Sequence, residues 1–332
     1  LKARLVINDP QLTDKIRINS KNCSLTINKN EIKIYFGDFK NFNLKKFPKK
    51  FFVTIVATSK KHISKKLLMQ RYSRISNYVL GVAESKSIPS LYPNLMDINS
   101  KIIQKNPIKI DKFEKKVFAL GSCQSNGWQA QLRALMDSFN SLNINDYKIL
   151  GCELDIVHPD TPQGKLGTKS IDPRDQDARN NLRPGFSQAS DSMKKLFKSK
   201  HLINTISLRT LISPPGYQIC RFFLSTPKEK KININDLMKT IKKNSSKKKT
   251  IYQISEIPLG SRAFEQSNTA ATILLNEKYF HLNYLKFINH NKNEFIEIIF
   301  QSYVHNTRGY CVSVFETIKK LANSKKNYFC YQ

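Results

Sequence analysis

One cysteine lies where a reactive thiol would be expected. Cys123 follows Gly121-Ser122 at the end of a predicted strand, and a predicted helix begins directly after it. The N-terminus of a helix stabilises negative charge, which lowers the pKa of a cysteine and raises its fraction of nucleophilic thiolate. A single cysteine is more often a small buried residue than a nucleophile. The pattern alone therefore leaves both roles open.

The second group of candidate functional residues is the large number of lysines, which could bind anions. The 332 residues include 56 Lys and Arg against 25 Asp and Glu, a net charge of +31. Such a field attracts phosphate backbones, anionic lipid surfaces or an acidic partner, although an AT-rich genome also enriches a protein in Lys. The candidate RNA contacts form four runs: Lys45, Lys46, Lys49 and Lys50; Lys60, Lys61, Lys65 and Lys66; Lys194, Lys195 and Lys198; Lys242, Lys243, Lys247, Lys248 and Lys249.

Several short motifs resemble one enzyme family. The run Ser122 to Asn126 is similar to the Ser-Cys-Thr-Thr-Asn motif of glyceraldehyde-3-phosphate dehydrogenase. Further runs resemble the family's later motifs in the same order: Val157-His158, Asn181 to Ser187, Leu208-Arg209, Phe264 to Ala271 and Tyr303 to Tyr310. Each match is short, and their shared order over almost the whole chain is what indicates the family.

The resemblance implies a role for each matching side chain. Cys123 would be the nucleophile, and His158 would be the base that activates it. The other predicted site residues would bind phosphate or NAD: Ser122, Ser187 and Arg209 the phosphate, and Asn306 and Thr58 the NAD.

Departures from the family pattern weaken the cofactor site. No Gly-x-Gly-x-x-Gly follows a strand in the 332 residues, although such a loop lets the backbone reach the pyrophosphate of a dinucleotide. Gln188 stands where the family's phosphate loop has Gly, and Thr307-Arg308 stands where its nicotinamide loop has Glu-Tyr. We therefore expect no bound cofactor, and a protein that keeps Cys123 and His158 without turnover. The alternative is an active NAD-dependent dehydrogenase whose first βα unit lies outside this sequence.

Strands and helices alternate along the chain in a way that predicts an α/β fold. Alternating residues at 24–28 and 31–36 predict a hairpin, and the run at 51–57 predicts a strand buried on both faces of a parallel sheet, with further strands at 78–83 and 116–120. Helices are predicted at 64–75, 124–139 (amphipathic), 190–198 and 234–243, and a closing helix begins at 311. The resemblance implies an incomplete Rossmann-like domain at 1–122, onto which the helix 311–332 packs, and a second domain at 123–310 with a mostly antiparallel sheet.

Composition excludes several other classes of protein. No apolar run approaches the ~18–20 residues of a membrane-spanning helix, so we expect no membrane span. Six cysteines without a CxxC pair exclude a disulfide scaffold and a cysteine-based zinc module, and the histidines show no metal-ligand spacing, so no metal is expected.

Basicity and the weakened cofactor site together predict a structural, RNA-binding role. The chain would be a degenerate dehydrogenase-like subunit of a large ribonucleoprotein, and the mitochondrial ribosome is the assembly we expect, with rRNA and ribosomal proteins as partners. A mitochondrial location is inferred from the charge and from the start at Leu1 rather than Met, with the cytoplasm as the alternative. A basic subunit at a membrane surface or in complex assembly is a third possibility.

Overall fold

The computed structural model describes residues 11, 13–35, 43, 44, 47, 51–58, 60–98, 117–159, 182–197, 202–286 and 292–329. The chain forms two compact units, Leu1–Lys49 and Lys50–Gln332. In the first unit, strands β1 (Ile16–Asn19), β2 (Ser24–Ile27) and β3 (Asn30–Lys33) form an antiparallel sheet. The predicted hairpin between β2 and β3 is confirmed, and Asn28 takes the positive φ of 57° that its tight turn requires.

A three-stranded parallel sheet begins the second unit. It contains β4 (Phe51–Val56), β5 (Ser76–Gly81) and β6 (Val117–Ala119) in that order. Within the helix predicted at 64–75, the structure has α2 (Lys66–Tyr72), and a separate short helix that was not predicted, α1 (Lys60–Ile63), precedes it. The prediction that β4 is buried on both faces is wrong, because Phe51 and Ile55 are 43% and 41% exposed.

A larger mixed sheet follows. Its order is β11-β12-β14-β10-β7-β9-β8, with β13 beside β14. Five of its strand pairs are antiparallel, whereas β7 with β9 and β11 with β12 are parallel. The strands are β7 (Lys148–Pro159), β8 (Arg183–Gly185), β9 (Leu202–Thr210), β10 (Gly216–Pro227), β11 (Tyr252–Ser255), β12 (Ala271–Leu274), β13 (His281–Tyr284) and β14 (Asn293–Val304). The fold is therefore α/β, with a small parallel sheet and a larger mixed one.

One central helix is buried on nearly all sides. Helix α3 (Cys123–Ser141) packs between the larger sheet and the short 3₁₀ helix Pro93–Leu95, and 15 of its 19 residues are buried. The predicted amphipathic pattern, with one exposed face, is wrong because neighbours cover the polar face as well. Asn126 of this helix accepts from Asn94 of the 3₁₀ helix, and Gln131 donates to Gln218 of β10.

The remaining helices cover the sheets. They are α4 (Ala189–Phe197), α5 (Ile234–Ser245) and α6 (Arg308–Phe329). On α6, Val314 and Leu321 share an apolar cluster with Leu80 and Phe118 of the parallel sheet. The domain boundary predicted at residue 122 falls between the parallel sheet and the larger mixed sheet in the sequence. Both sheets belong to the compact unit Lys50–Gln332, so this boundary stays a prediction. No helix among the described residues is long and apolar enough to cross a membrane.

Candidate functional site

A capping box fixes the start of helix α3. The Ser122 hydroxyl accepts a hydrogen bond from the Ser125 N–H at 3.2 Å, and the Ser125 hydroxyl accepts one from the Ser122 N–H at 2.8 Å. Gly121 precedes the cap with a φ of 78°, which the left-handed turn between β6 and the helix requires. Cys123 is therefore the first residue of a long helix, at the carboxyl end of a parallel strand.

Six of the seven residues that the resemblance selects line one cavity of about 360 Å³. They come from five separate segments of the chain: Ser122, Cys123, His158, Ser187, Arg209 and Asn306. Thr58, the seventh, is exposed in the turn after β4 and does not line this cavity. The fold thus brings together residues that are up to 184 positions apart, from 122 to 306.

The Cys123 thiol is held in its neutral form. Burial raises the pKa of Cys123 to about 11, against the opposing effects of the backbone N–H groups of Gln124 and Cys123 and of the Arg209 charge. Desolvation of the thiolate therefore outweighs the helix N-terminus, which by itself would lower the pKa of this thiol. The nearby Glu84 carboxylate raises the thiol pKa further.

His158 and Arg209 meet at one backbone carbonyl. They stand opposite each other in the parallel pair β7 and β9. His158 Nδ1–H donates to the carbonyl oxygen of Pro159 at 2.7 Å, and Arg209 Nη1 donates to the same oxygen at 3.3 Å. Because Nδ1 holds the proton of a neutral imidazole, Nε2 is the basic nitrogen of that ring. Arg209 is only 3% exposed, so its charge acts in a poorly screened environment.

Glu84 is a cavity residue that the sequence interpretation missed. It is 4% exposed, its Oε1 accepts from the Ser122 N–H at 3.0 Å, and its Oε2 accepts from the Ser192 hydroxyl at 2.5 Å. Burial raises the pKa of Glu84, although these hydrogen bonds and the Lys195 charge oppose the shift. An acidic residue directly after the predicted strand 78–83 was the available signal.

The other lining residues also support the fold. Asn306 Oδ1 accepts from the Gly216 N–H at 3.3 Å, and the Ser187 hydroxyl accepts from the Ala189 N–H at 3.3 Å. The Tyr310 hydroxyl donates to the carbonyl of Gly121 at 2.5 Å. These bonds set the walls of the cavity around Cys123.

Among the predicted RNA contacts, Lys195 is the clearest correction. Its ammonium group donates to the carbonyl oxygens of Ser85 and Ile88, the latter at 3.2 Å, and to the Ser90 hydroxyl at 3.3 Å. Burial lowers the pKa of Lys195, as expected for a charge inside the fold. We therefore remove Lys195 from the candidate RNA contacts.

The other described lysines divide into two groups. Lys242 pairs with Glu256 at 2.6 Å, and the 28%-exposed Lys248 pairs with Asp97 at 3.5 Å. Six candidates are exposed: Lys65, Lys66, Lys194, Lys243, Lys247 and Lys249. The remaining candidates lie outside the described residues or have undescribed side chains: Lys45, Lys46, Lys49, Lys50, Lys60, Lys61 and Lys198.

The described strand ends do not fit a dinucleotide. The turn after β4 begins with Ala57-Thr58, and the space beside Gly81 at the end of β5 is filled by Ile63 and Met69. At the N-terminus of helix α3, the Ser122 N–H already donates to the Glu84 carboxylate at 3.0 Å and is not free for a pyrophosphate. We therefore derive no step through NAD. The described residues also contain no group of three potential metal ligands.

Comparison of the sequence with protein-family models finds no match, and comparison with curated proteins finds none either. The relation to glyceraldehyde-3-phosphate dehydrogenases therefore stays a proposal, based on the motifs and on the cavity that their residues share.

Proposed function

We propose that this chain is a glyceraldehyde-3-phosphate dehydrogenase-like protein whose cavity binds a small anionic carbonyl compound through a covalent bond to Cys123. One observation carries the proposal: six residues chosen by motif from five distant segments line one cavity. The guanidinium of Arg209 lines this cavity and supports an anionic ligand, because charge-assisted hydrogen bonds from a guanidinium to a phosphate or carboxylate are strong.

The covalent step needs no oxidant. The Cys123 sulfur forms a bond to the carbonyl carbon as the C=O π bond breaks, and the thiol proton passes through His158 Nε2 to the carbonyl oxygen. The product is a hemithioacetal, in which every atom of thiol and aldehyde is kept. Because the thiol has a pKa of about 11, it must lose its proton to a base during the attack. His158 is the cavity residue suited to that role.

Protection from alkylation tests this function. Cys123 is alkylated slowly with iodoacetamide, with and without glyceraldehyde 3-phosphate, and peptide mass spectrometry follows each cysteine. We expect the aldehyde to protect Cys123 but not the exposed Cys311. Glyceraldehyde without the phosphate should protect only at higher concentration. Unprotected Cys123 at millimolar phosphorylated aldehyde would refute the proposal.

RNA binding is the second candidate function, and the net charge of +31 favours it. Six exposed lysines remain available for phosphate contacts, which would suit a subunit of a ribonucleoprotein such as a mitochondrial ribosome. The logarithm of the affinity for single-stranded RNA should fall linearly with the logarithm of salt, by about 0.7 per phosphate contact.

A triple variant makes that test specific. Replacing Lys243, Lys247 and Lys249 by Ser should reduce the salt slope by about 2 if each of the three lysines contacts one phosphate. Lys195→Met is the matched control, because that ammonium group is engaged inside the fold. An unchanged slope in the triple variant would exclude this surface, and no binding of wild type at 50 mM salt would exclude the function.

A further inference from the structure

One buried amide in the cavity has a hydrogen-bond donor without an acceptor. Gln124 follows Cys123 in helix α3, lines the same cavity and is 2% exposed. Its Nε2 finds no partner among the described residues. Buried polar groups are nearly always hydrogen-bonded, so an unpaired donor on a residue that lines this cavity requires an explanation.

The orientation of this amide follows from its neighbours. Gln218 Nε2 donates to the backbone oxygen of Gln124 at 2.9 Å and to its side-chain Oε1 at 2.5 Å. A backbone carbonyl only accepts, so the nitrogen of Gln218 must face Gln124. The side-chain oxygen of Gln124 is then occupied, and its NH₂ group is the end that is left over.

Gln218 is in turn oriented by a third buried glutamine, Gln131. Gln131 Nε2 donates to Gln218 Oε1 at 3.0 Å, and both residues are fully buried. The three amides thus form a chain in which Gln131 donates to the Gln218 oxygen and Gln218 donates to the Gln124 oxygen, so that the chain ends at the Gln124 NH₂. Such buried networks hold their members in one geometry.

We infer that the Gln124 amide donates a hydrogen bond to the carbonyl oxygen of the compound that Cys123 attacks, an inference that rests on the function proposed above. As the sulfur–carbon bond forms, negative charge develops on that oxygen. A donor already oriented in a water-poor site stabilises this charge without reorganisation. Gln124 is therefore a catalytic residue of the addition step, and the glutamine chain positions it.

The Gln124→Met variant tests this role. It keeps the length of the side chain and removes both N–H groups. We expect aldehyde protection of Cys123 to require about 10- to 100-fold more glyceraldehyde 3-phosphate, the effect of losing a hydrogen bond to a charged oxygen. Protection in each variant is expressed relative to that variant's own alkylation rate without aldehyde, so that a change in the reactivity of Cys123 is separated from a change in aldehyde binding.

Gln129→Met is the matched control. Gln129 lies in the same helix, is fully buried and also has an Nε2 without a partner among the described residues, but it does not line the cavity. Its replacement should leave protection unchanged. An equal loss in both variants would mean a structural effect of helix α3 and would overturn the inference.

Two further results separate the inference from the proposed function. If the aldehyde fails to protect wild-type Cys123, the proposed function itself fails. If it protects wild type and Gln124→Met equally, only the inference fails. Should circular dichroism show Gln124→Met unfolded, Gln124→Glu replaces it. That side chain still accepts from Gln218, donates from its O–H when neutral and donates nothing when ionised, so its protection should fall relative to wild type as the pH rises. A ratio that stays constant and equal to that of wild type from pH 5 to 9 would also overturn the inference.

Discussion

Cys123 should be alkylated slowly at neutral pH, and its rate should rise steeply as the pH increases. The perturbation is a change of pH from 6 to 10, with iodoacetamide as the reagent. Burial raises the pKa of this thiol from its ordinary 9.0 to about 11. At pH 7 the thiolate fraction is then about 1 in 10⁴, compared with about 1 in 10² for a thiol of ordinary pKa.

Greater nucleophilicity offsets part of this difference. A thiolate gains reactivity with basicity at a Brønsted slope of about 0.4–0.5, so two pKa units make each thiolate roughly 6- to 10-fold more reactive. Cys123 should therefore react about tenfold more slowly at pH 7 than a thiol of pKa 9.0, before any hindrance of access. Each further pH unit should raise its rate about tenfold up to pH 10.

The assay measures pseudo-first-order loss of the Cys123 peptide by mass spectrometry, with the exposed Cys311 as an internal reference. Circular dichroism at each pH establishes that the protein remains folded. A rate that levels off below about pH 8 would show a thiolate already formed near neutrality. That result would refute the argument that desolvation outweighs the helix N-terminus, and it would restore the original expectation for this residue.

Four other predictions follow from the titratable groups inside the fold. Glu84→Gln should lower the pKa of Cys123 by removing a negative charge, and a shift of its alkylation profile to lower pH would show this. Because the pKa of Glu84 is raised in the folded state, this group contributes stability below its unfolded pKa of 4.5, and that stability is lost as the pH rises. Between pH 4 and 7, the unfolding free energy of Glu84→Gln should therefore increase relative to that of wild type in chemical denaturation. A constant difference between the two would contradict this. Burial lowers the pKa of His305 to about 4. Protonation of this group should therefore lower the unfolding free energy of wild type by about 3 kcal/mol as the pH falls from 6.5 to 4. A His305→Gln variant that loses the same amount would argue against this prediction. Lys195→Met should lower the melting temperature while the exposed Lys194→Met does not, and equal thermal shifts would contradict the buried contacts of Lys195.

Local signals predicted many elements of this fold correctly. Asn233 marks the start of helix α5, and its side chain accepts from the N–H groups of Asn235 and Asp236 as an N-cap does. The predicted hairpin joins β2 to β3 through the Asn-Lys-Asn turn, and the strand predicted at 116–120 is β6. These features depend on neighbouring residues, whose conformational preferences are present in the sequence itself.

The motif residues gather in one cavity, but their chemistry depends on contacts that no local pattern encodes. The sequence by itself determined the charge of the chain, the α/β alternation and the position of Cys123 at a strand-to-helix turn. Only the tertiary structure decided that this thiol is desolvated, that Lys195 points inward, and that Glu84 bonds to Ser192, 108 residues away. Desolvation and hydrogen bonding depend on every group packed around an atom, and those groups come from distant parts of the chain.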